Sequence, residues 1–247
     1  ICTQPDGTNF NIDVNSLSCG ALVLGPQGGG KSRLLSSLIQ QIHEKHPDVI
    51  ISVIDFKNGF SNLPSRIDAK HIDLSRISLT LEPPSNIALE SFVFELIPIL
   101  AESTGLVYGV DLLNTAAERA LKKIKDTSFC LRDILEELNH ISTKSFRIGG
   151  YLDASKTALG FLIGKQNLFS CRKGVSINDL FSQNAVINAR GLTHDTQAKF
   201  LVTYILYWLY QSAKNRPDSR LNHVLIVDDA NRAIARPAIG NSISSLG

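Results

Sequence analysis

Eight residues, Gly25-Pro26-Gln27-Gly28-Gly29-Gly30-Lys31-Ser32, follow the spacing G-x-x-x-x-G-K-S. That spacing suits a loop that wraps a polyphosphate. The backbone has to curl so that successive N–H groups point inward at the anion. Glycines reach the necessary backbone angles and let the chain approach closely. A helix starting near Lys31 adds free amides and the positive end of its dipole. Lys31 then reaches the β- and γ-phosphates, and the Ser32 hydroxyl is placed to ligate magnesium. The expected ligands are ATP and Mg2+, with Gly25, Pro26, Gln27, Gly28, Gly29, Gly30, Lys31, Ser32 and Arg33 forming the nucleotide contact.

A second group lies near the other end of the chain. Leu225-Ile226-Val227 is an apolar run that ends in Asp228-Asp229. Opposite a phosphate loop, such a strand end holds magnesium through its first carboxylate, here Asp228, usually with a water. The next carboxylate, Asp229, stands where a group would polarise the attacking water. Lys31, Asp228 and Asp229 are therefore the expected catalytic set, and Ser32 and Asp228 the expected metal ligands. The chemistry is hydrolysis of a nucleoside triphosphate. The sequence has no N-K-x-D guanine motif, no L-S-G-G-Q-like signature and no lid-like arginine cluster. A GTPase, an ABC-type ATPase and a small-molecule kinase are correspondingly disfavoured.

The elements that must position these groups alternate in type. Ala21 to Leu24 is a short apolar run expected to be the strand that feeds the loop. Ser32 to His46 predicts a helix, with Leu34, Leu35, Leu38, Ile39 and Ile42 on one face and Pro47-Asp48 ending it. Val49 to Ile54 is apolar and rich in β-branched residues, as a buried parallel strand should be. Ile77 to Leu81 reads as a short strand, residues 87 to 140 as helices, Asn184 to Asn188 and His223 to Val227 as further strands. Asp195 to Lys214 predicts a long amphipathic helix. Its aromatics Phe200, Tyr204, Tyr207, Trp208 and Tyr210 could stack on bases, but their spacing favours a buried face. Strands between the phosphate loop and the acidic strand mark the P-loop class that includes RecA-like motors. The expected fold is thus α/β: a RecA-like P-loop core over 1–85 and 141–247 with a mostly parallel sheet, and a helical insertion over 86–140.

With these residues in place, the chain resembles the HerA–FtsK superfamily of ring-forming ATPases, most closely its HerA-like and conjugative type IV secretion branch. The phosphate loop carries the resemblance together with three further stretches. Val53-Ile54-Asp55-Phe56-Lys57-Asn58-Gly59-Phe60 is similar to the family's I-D-P-K-G strand end, and Asn184 to Leu192 with the following helix to the strand and helix before its acidic strand. Leu225 to Arg232 is similar to L-I-V-D-E-A-H-R. The resemblance implies a homohexameric motor, first of all a DNA translocase of the HerA/FtsK type; the alternatives are a secretion or conjugation ATPase that moves protein or protein–DNA cargo, with membrane-associated channel proteins as partners, and an ATP-binding switch subunit that hydrolyses weakly. It also implies an arginine finger reaching into a neighbouring subunit, for which Arg232 and Arg236 are the candidates. The family places Glu where this chain has Asp229, one methylene shorter, so that the water is held less well or another group assists.

Composition agrees with these readings. The chain has 247 residues, 43% hydrophobic and 19% charged, enough for a large core without disulfides or structural metals. The net charge of +2 neither requires nor excludes nucleic acid. Cys2, Cys19, Cys130 and Cys171 have no metal-ligand spacing and read as free thiols in a reducing cytoplasm. His43 and His46 share a helix face but lack a third ligand. The basic clusters Lys122-Lys123-Lys125 and Arg172-Lys173 read as solvated faces rather than phosphate contacts. No apolar run approaches the roughly 18 residues of a membrane helix, and the expected location is cytoplasmic. The chain begins at Ile1 and contains no methionine, as expected of an excerpt whose parent protein could carry an anchor elsewhere.

Overall fold

The computed structural model describes residues 2–3, 9–10, 13, 16–17, 20–124, 129–164, 167–170, 172, 174–214 and 221–234. Two short antiparallel strands, β1 (Cys2–Thr3) and β2 (Asn9–Phe10), precede the phosphate loop. Helix α1 (Lys31–Lys45) begins directly on the loop. It leads to β3 (Ile50–Asp55) and β4 (Lys70–Asp73). Four helices follow: α2 (Leu89–Thr104), α3 (Val110–Lys123), α4 (Leu131–Asn139) and α5 (Phe146–Ile163). A turn of helix, α6 (Ile177–Leu180), then introduces β5 (Ala185–Asn188), α7 (Asp195–Lys214), β6 (His223–Val227) and α8 (Asn231–Ile234).

Strands β4, β5, β3 and β6 form one sheet in that order, and every pair in it is parallel. Side chains alternate between two apolar layers, as the pleat requires. Ile51, Val53, Val186, Val224 and Ile226 face α1 through Ile39 and Ile42. Ile54, Ala185, Ile187, Leu225 and Val227 face the larger layer built by the other helices. A sheet covered on both faces explains why β3 and β6 are near-continuous apolar runs rather than alternating ones. The result is the expected α/β fold with a RecA-like core.

Ala21–Leu24 departs from expectation. It is not part of any strand, and Leu22 and Leu24 are 75% and 80% exposed. A four-residue run does not hold strand geometry without a neighbour, and β6 forms that edge of the sheet with no described strand beyond it. Ile77–Leu81 is likewise reduced to two isolated bridges, Leu79 to Val175 and Leu81 to Phe129. The first ties together the two ends of the long helical stretch, and the second ties its start to the link between α3 and α4.

That stretch packs helix on helix and reaches the core through α7, which meets both α2 and α5. The aromatics of α7 mostly point inward: Phe200 and Tyr204 are fully buried, edge-on to Phe169, and only Tyr210 is well exposed. The Tyr204 hydroxyl donates to the Glu82 carbonyl at 3.3 Å. These rings are core. The basic clusters also find acidic partners: Lys122 with Glu118, Lys123 with Glu137, and Arg172 with Asp133. Lys125 and Lys173 lie outside the described residues. Burial pushes the Cys130 thiol up to about 11. Among the described residues, no helix is long and apolar enough to cross a membrane.

One glycine fixes how the helices meet. Gly109, ahead of α3, has φ +96°, and a Cβ there would run into Ser155 Oγ and stand 2.9 Å from the Tyr151 carbonyl oxygen on α5. Ser155 Oγ is hydrogen-bonded to the carbonyls of both Gly109 and Tyr151. Gly109→Ala is expected to destabilise the fold by about 3 kcal/mol, from backbone strain and overpacking together. Urea unfolding of the two proteins measures this directly.

Candidate active site

The phosphate loop is shaped by two left-handed glycines, Gly28 (φ 78°) and Gly30 (φ 81°), the first inside a turn over residues 26–29 closed by the Gly29 N–H on the Pro26 carbonyl at 3.1 Å. Side chains at the left-handed positions would be strained. The first backbone bond of α1 is Leu34 N–H to Gly30 C=O. The amides of Lys31, Ser32 and Arg33 therefore lie ahead of the helical ladder. No acidic residue occupies the first turn and no side chain caps it, so the positive end of a fifteen-residue helix is left for an anion. Lys31 curls back over this loop, its Nζ donating to the carbonyls of Gly25 and Pro26, both at 2.8 Å. A phosphate oxygen competes for the same donors.

The sheet brings the second half of the site beside this loop. In a parallel sheet the crevice beyond the carboxyl ends of the strands is where ligands bind. Ile54 pairs with both Ile187 and Val227, so Asp55, Asn188 and Asp228 come level at that end. The Asp228 N–H continues the ladder by donating to the Ile54 carbonyl at 3.0 Å.

Asp55 is 1% exposed and spends its carboxylate on the loop that follows. Its Oδ1 accepts from the amides of Lys57 (3.0 Å) and Gly59 (3.1 Å), and its Oδ2 from Phe60 (2.8 Å). Asn58 takes a left-handed φ of 64° within the turn, which Asn tolerates. The buried Phe60 ring anchors the far end. This braced loop delivers Gly59 to the junction of the two motifs. A Cβ on Gly59 would stand 3.8 Å from Ser32 Oγ and 3.8 Å from Asp228 Oδ2. The hydroxyl and carboxylate expected from the sequence to bind magnesium thus flank one point.

Asp228 is buried. Burial, and after it the charges of Asp55 and Asp229, hold its carboxyl above the ordinary carboxylate range; Lys57 offsets part of this. An anionic carboxylate made costly in this way would be stabilised by a cation, and the Ser32 hydroxyl, 3.8 Å from the same point beside Gly59, would supply a second oxygen ligand. The donor set fits Mg2+, which typically takes one or two protein oxygens and completes its shell with phosphate and water. Gly59→Ala tests the junction. The added methyl meets only ordinary contacts, so the fold is expected to survive. It would stand 3.8 Å from both expected ligands, so magnesium-dependent nucleotide affinity should fall roughly tenfold, about 1.4 kcal/mol. Calorimetric titration with and without magnesium reads the difference.

Asp229 follows with a left-handed φ of 56° and meets Lys57, whose Nζ lies 3.0 Å from Asp229 Oδ1. Lys57 and Asp55 stand out in the sequence only through the family resemblance, without a role; Gly59 belongs to the same stretch. The signal that could have assigned them is an Asp followed by a short Gly-containing turn, which commonly bonds its own backbone. Arg232 is held inside its own chain. Its Nε donates to Asp195 Oδ1 at 3.0 Å, its Nη2 to the Leu192 carbonyl at 3.2 Å, and its guanidinium lies over the Phe56 ring. That is a structural role at the base of α8 rather than a free finger. Arg236 lies outside the described residues.

No protein-family model matches the chain, and no curated protein matches it. Among solved structures it is similar to VirB4 of Thermoanaerobacter pseudethanolicus, with a TM-score of 0.63 and 12% sequence identity, over 94% of this chain and 67% of that one. At this identity the likeness establishes the fold alone, a mixed α/β core with an all-parallel sheet of the RecA-like kind.

Proposed function

We propose that this chain is an ATP-binding and ATP-hydrolysing motor domain of a secretion or conjugation machine, moving protein or protein–DNA cargo. The observation that carries the ATPase reading is that Ser32 Oγ and Asp228 Oδ2 both lie 3.8 Å from the point where a Cβ on Gly59 would stand. Loop amides and Lys31 bind the phosphates. Ser32 and Asp228 would hold magnesium, which would supply positive charge to the transferring phosphoryl group. Asp229 orients a water whose oxygen bonds to the γ-phosphorus while the bond to the β–γ bridging oxygen breaks. ADP and phosphate leave, and the proton lost by the water passes through Asp229 to solvent.

The sequence alone ranked a DNA translocase of the HerA/FtsK type first. The likeness to VirB4, a type IV secretion ATPase, favours the secretion reading instead. A homohexameric ring, an association with membrane channel proteins, a cytoplasmic position and DNA as alternative cargo belong to this proposal as well. Phosphate release from Mg–ATP, measured with and without double-stranded DNA, tests it. Turnover indifferent to DNA, with channel subunits co-purifying, supports the secretion motor. Turnover stimulated by DNA returns the translocase reading. ATP binding without turnover overturns both and leaves a nucleotide switch.

A further inference from the structure

The pair formed by Lys57 and Asp229 does more than neutralise charge on a surface. Lys57 is 61% exposed on its side chain and Asp229 21%. Exposed ion pairs contribute about 0–1 kcal/mol to stability, so the fold gains little from this one. Yet both ends of the pair are built. The backbone of Lys57 is fixed by Asp55, which takes the amides of residues 57, 59 and 60 with one buried carboxylate. Asp229 adopts a left-handed backbone that few non-glycine residues adopt. Such conformations concentrate at functional sites. The ammonium uses one contact on Asp229 Oδ1 and has three N–H donors in all.

We propose that Lys57 is a positioning residue for hydrolysis, holding the Asp229 carboxylate in the orientation from which it aligns the attacking water. The inference rests on the ATPase reading given above. It answers the shortness of Asp229: a carboxylate one methylene short of Glu is steadied by a lysine anchored on the neighbouring strand end. Lys57 acts through Asp229 and not as a phosphate ligand, so its loss should appear in kcat and leave KM for ATP nearly unchanged.

The test compares ATP turnover of the wild type, Lys57→Gln, Lys57→Arg, Asp229→Asn and the Lys57→Gln/Asp229→Asn double variant, with single-turnover measurements for the slow chains. Lys57→Gln is expected to lower kcat roughly tenfold, the scale of lost outer-shell support at a metal site, with KM within about twofold. Lys57→Arg should recover most of the rate. On the Asp229→Asn background, Lys57→Gln should cost nothing further, because interacting residues are not additive. The melting temperature should stay within ~2 °C throughout. An equal loss on both backgrounds, or a raised KM at unchanged kcat, overturns the proposal. A wild type that hydrolyses ATP while Lys57→Gln matches it sinks this inference alone. A wild type that binds but never hydrolyses ATP sinks the ATPase reading and this inference with it.

Discussion

Lys31→Ala is expected to cut ATP turnover by a factor on the order of 10²–10³, the usual cost of removing one preorganised donor from developing charge. The folded chain should hardly notice. Lys31 Nζ bonds only to the carbonyls of Gly25 and Pro26 in an exposed loop, and water replaces such bonds easily. Alanine is also the best helix former for the first position of α1. The variant should therefore melt with the wild type in the absence of nucleotide, and lose the upward shift that Mg–ATP gives the wild type. Phosphate release and a thermal melt with and without Mg–ATP decide the matter. Full activity in the variant would remove the phosphate loop from the chemistry.

Asp228→Asn separates function from stability in the opposite direction. Turnover should fall on the order of 10²-fold as the magnesium ligand is lost. The nucleotide-free protein should nevertheless become more stable at neutral pH. Burial, then the charges of Asp55 and Asp229, raise the Asp228 carboxyl above its ordinary value, so ionising it opposes folding. Below the ordinary carboxylate range Asp228 is protonated whether the chain is folded or not, and variant and wild type should be equally stable. As pH rises, the unfolded chain ionises first and the wild type falls behind. The gap opens between the ordinary value and the raised folded one, then stays constant. Mg–ATP should reverse the ranking, because only the wild type gains the full ligand stabilisation. Urea unfolding across this pH range is the measurement. A wild type that is the more stable at neutral pH without ligand would contradict the charge crowding seen around Asp228.

Much of the fold was legible because local pattern and tertiary demand agree. The apolar runs at Val49–Ile54 and His223–Val227 became the strands Ile50–Asp55 and His223–Val227, and Asp195–Lys214 became the helix its spacing predicts. Ala21–Leu24 has the same local character and did not join the sheet, because a strand is made by its neighbour and a four-residue apolar run carries no record of whether one is present. The phosphate loop and the acidic strand end announced themselves by spacing. The work of Asp55 and Lys57 did not. Asp55 acts on amides two to five residues ahead, through a turn whose shape depends on Asn58 reaching a left-handed angle. Lys57 meets Asp229 only because β3 and β6 lie side by side. Arg232 illustrates the converse: its position in the sequence suits a finger, yet Asp195, Leu192 and Phe56 hold it at home.

The register that levels Asp55 with Asp228 also orders events during synthesis. The phosphate loop, α1 and β3 leave the ribosome together, whereas β6 emerges only after the helices, β5 and α7. Long-range parallel pairing of this kind forms slowly, since a large loop must close before any contact rewards it. On the ATPase reading, a nascent chain would own the proposed phosphate cradle well before it owned the proposed magnesium carboxylate. Magnesium-dependent affinity for ATP should then appear only once β6 docks, so that the nucleotide would favour chains in which β6 has paired over those in which it has not.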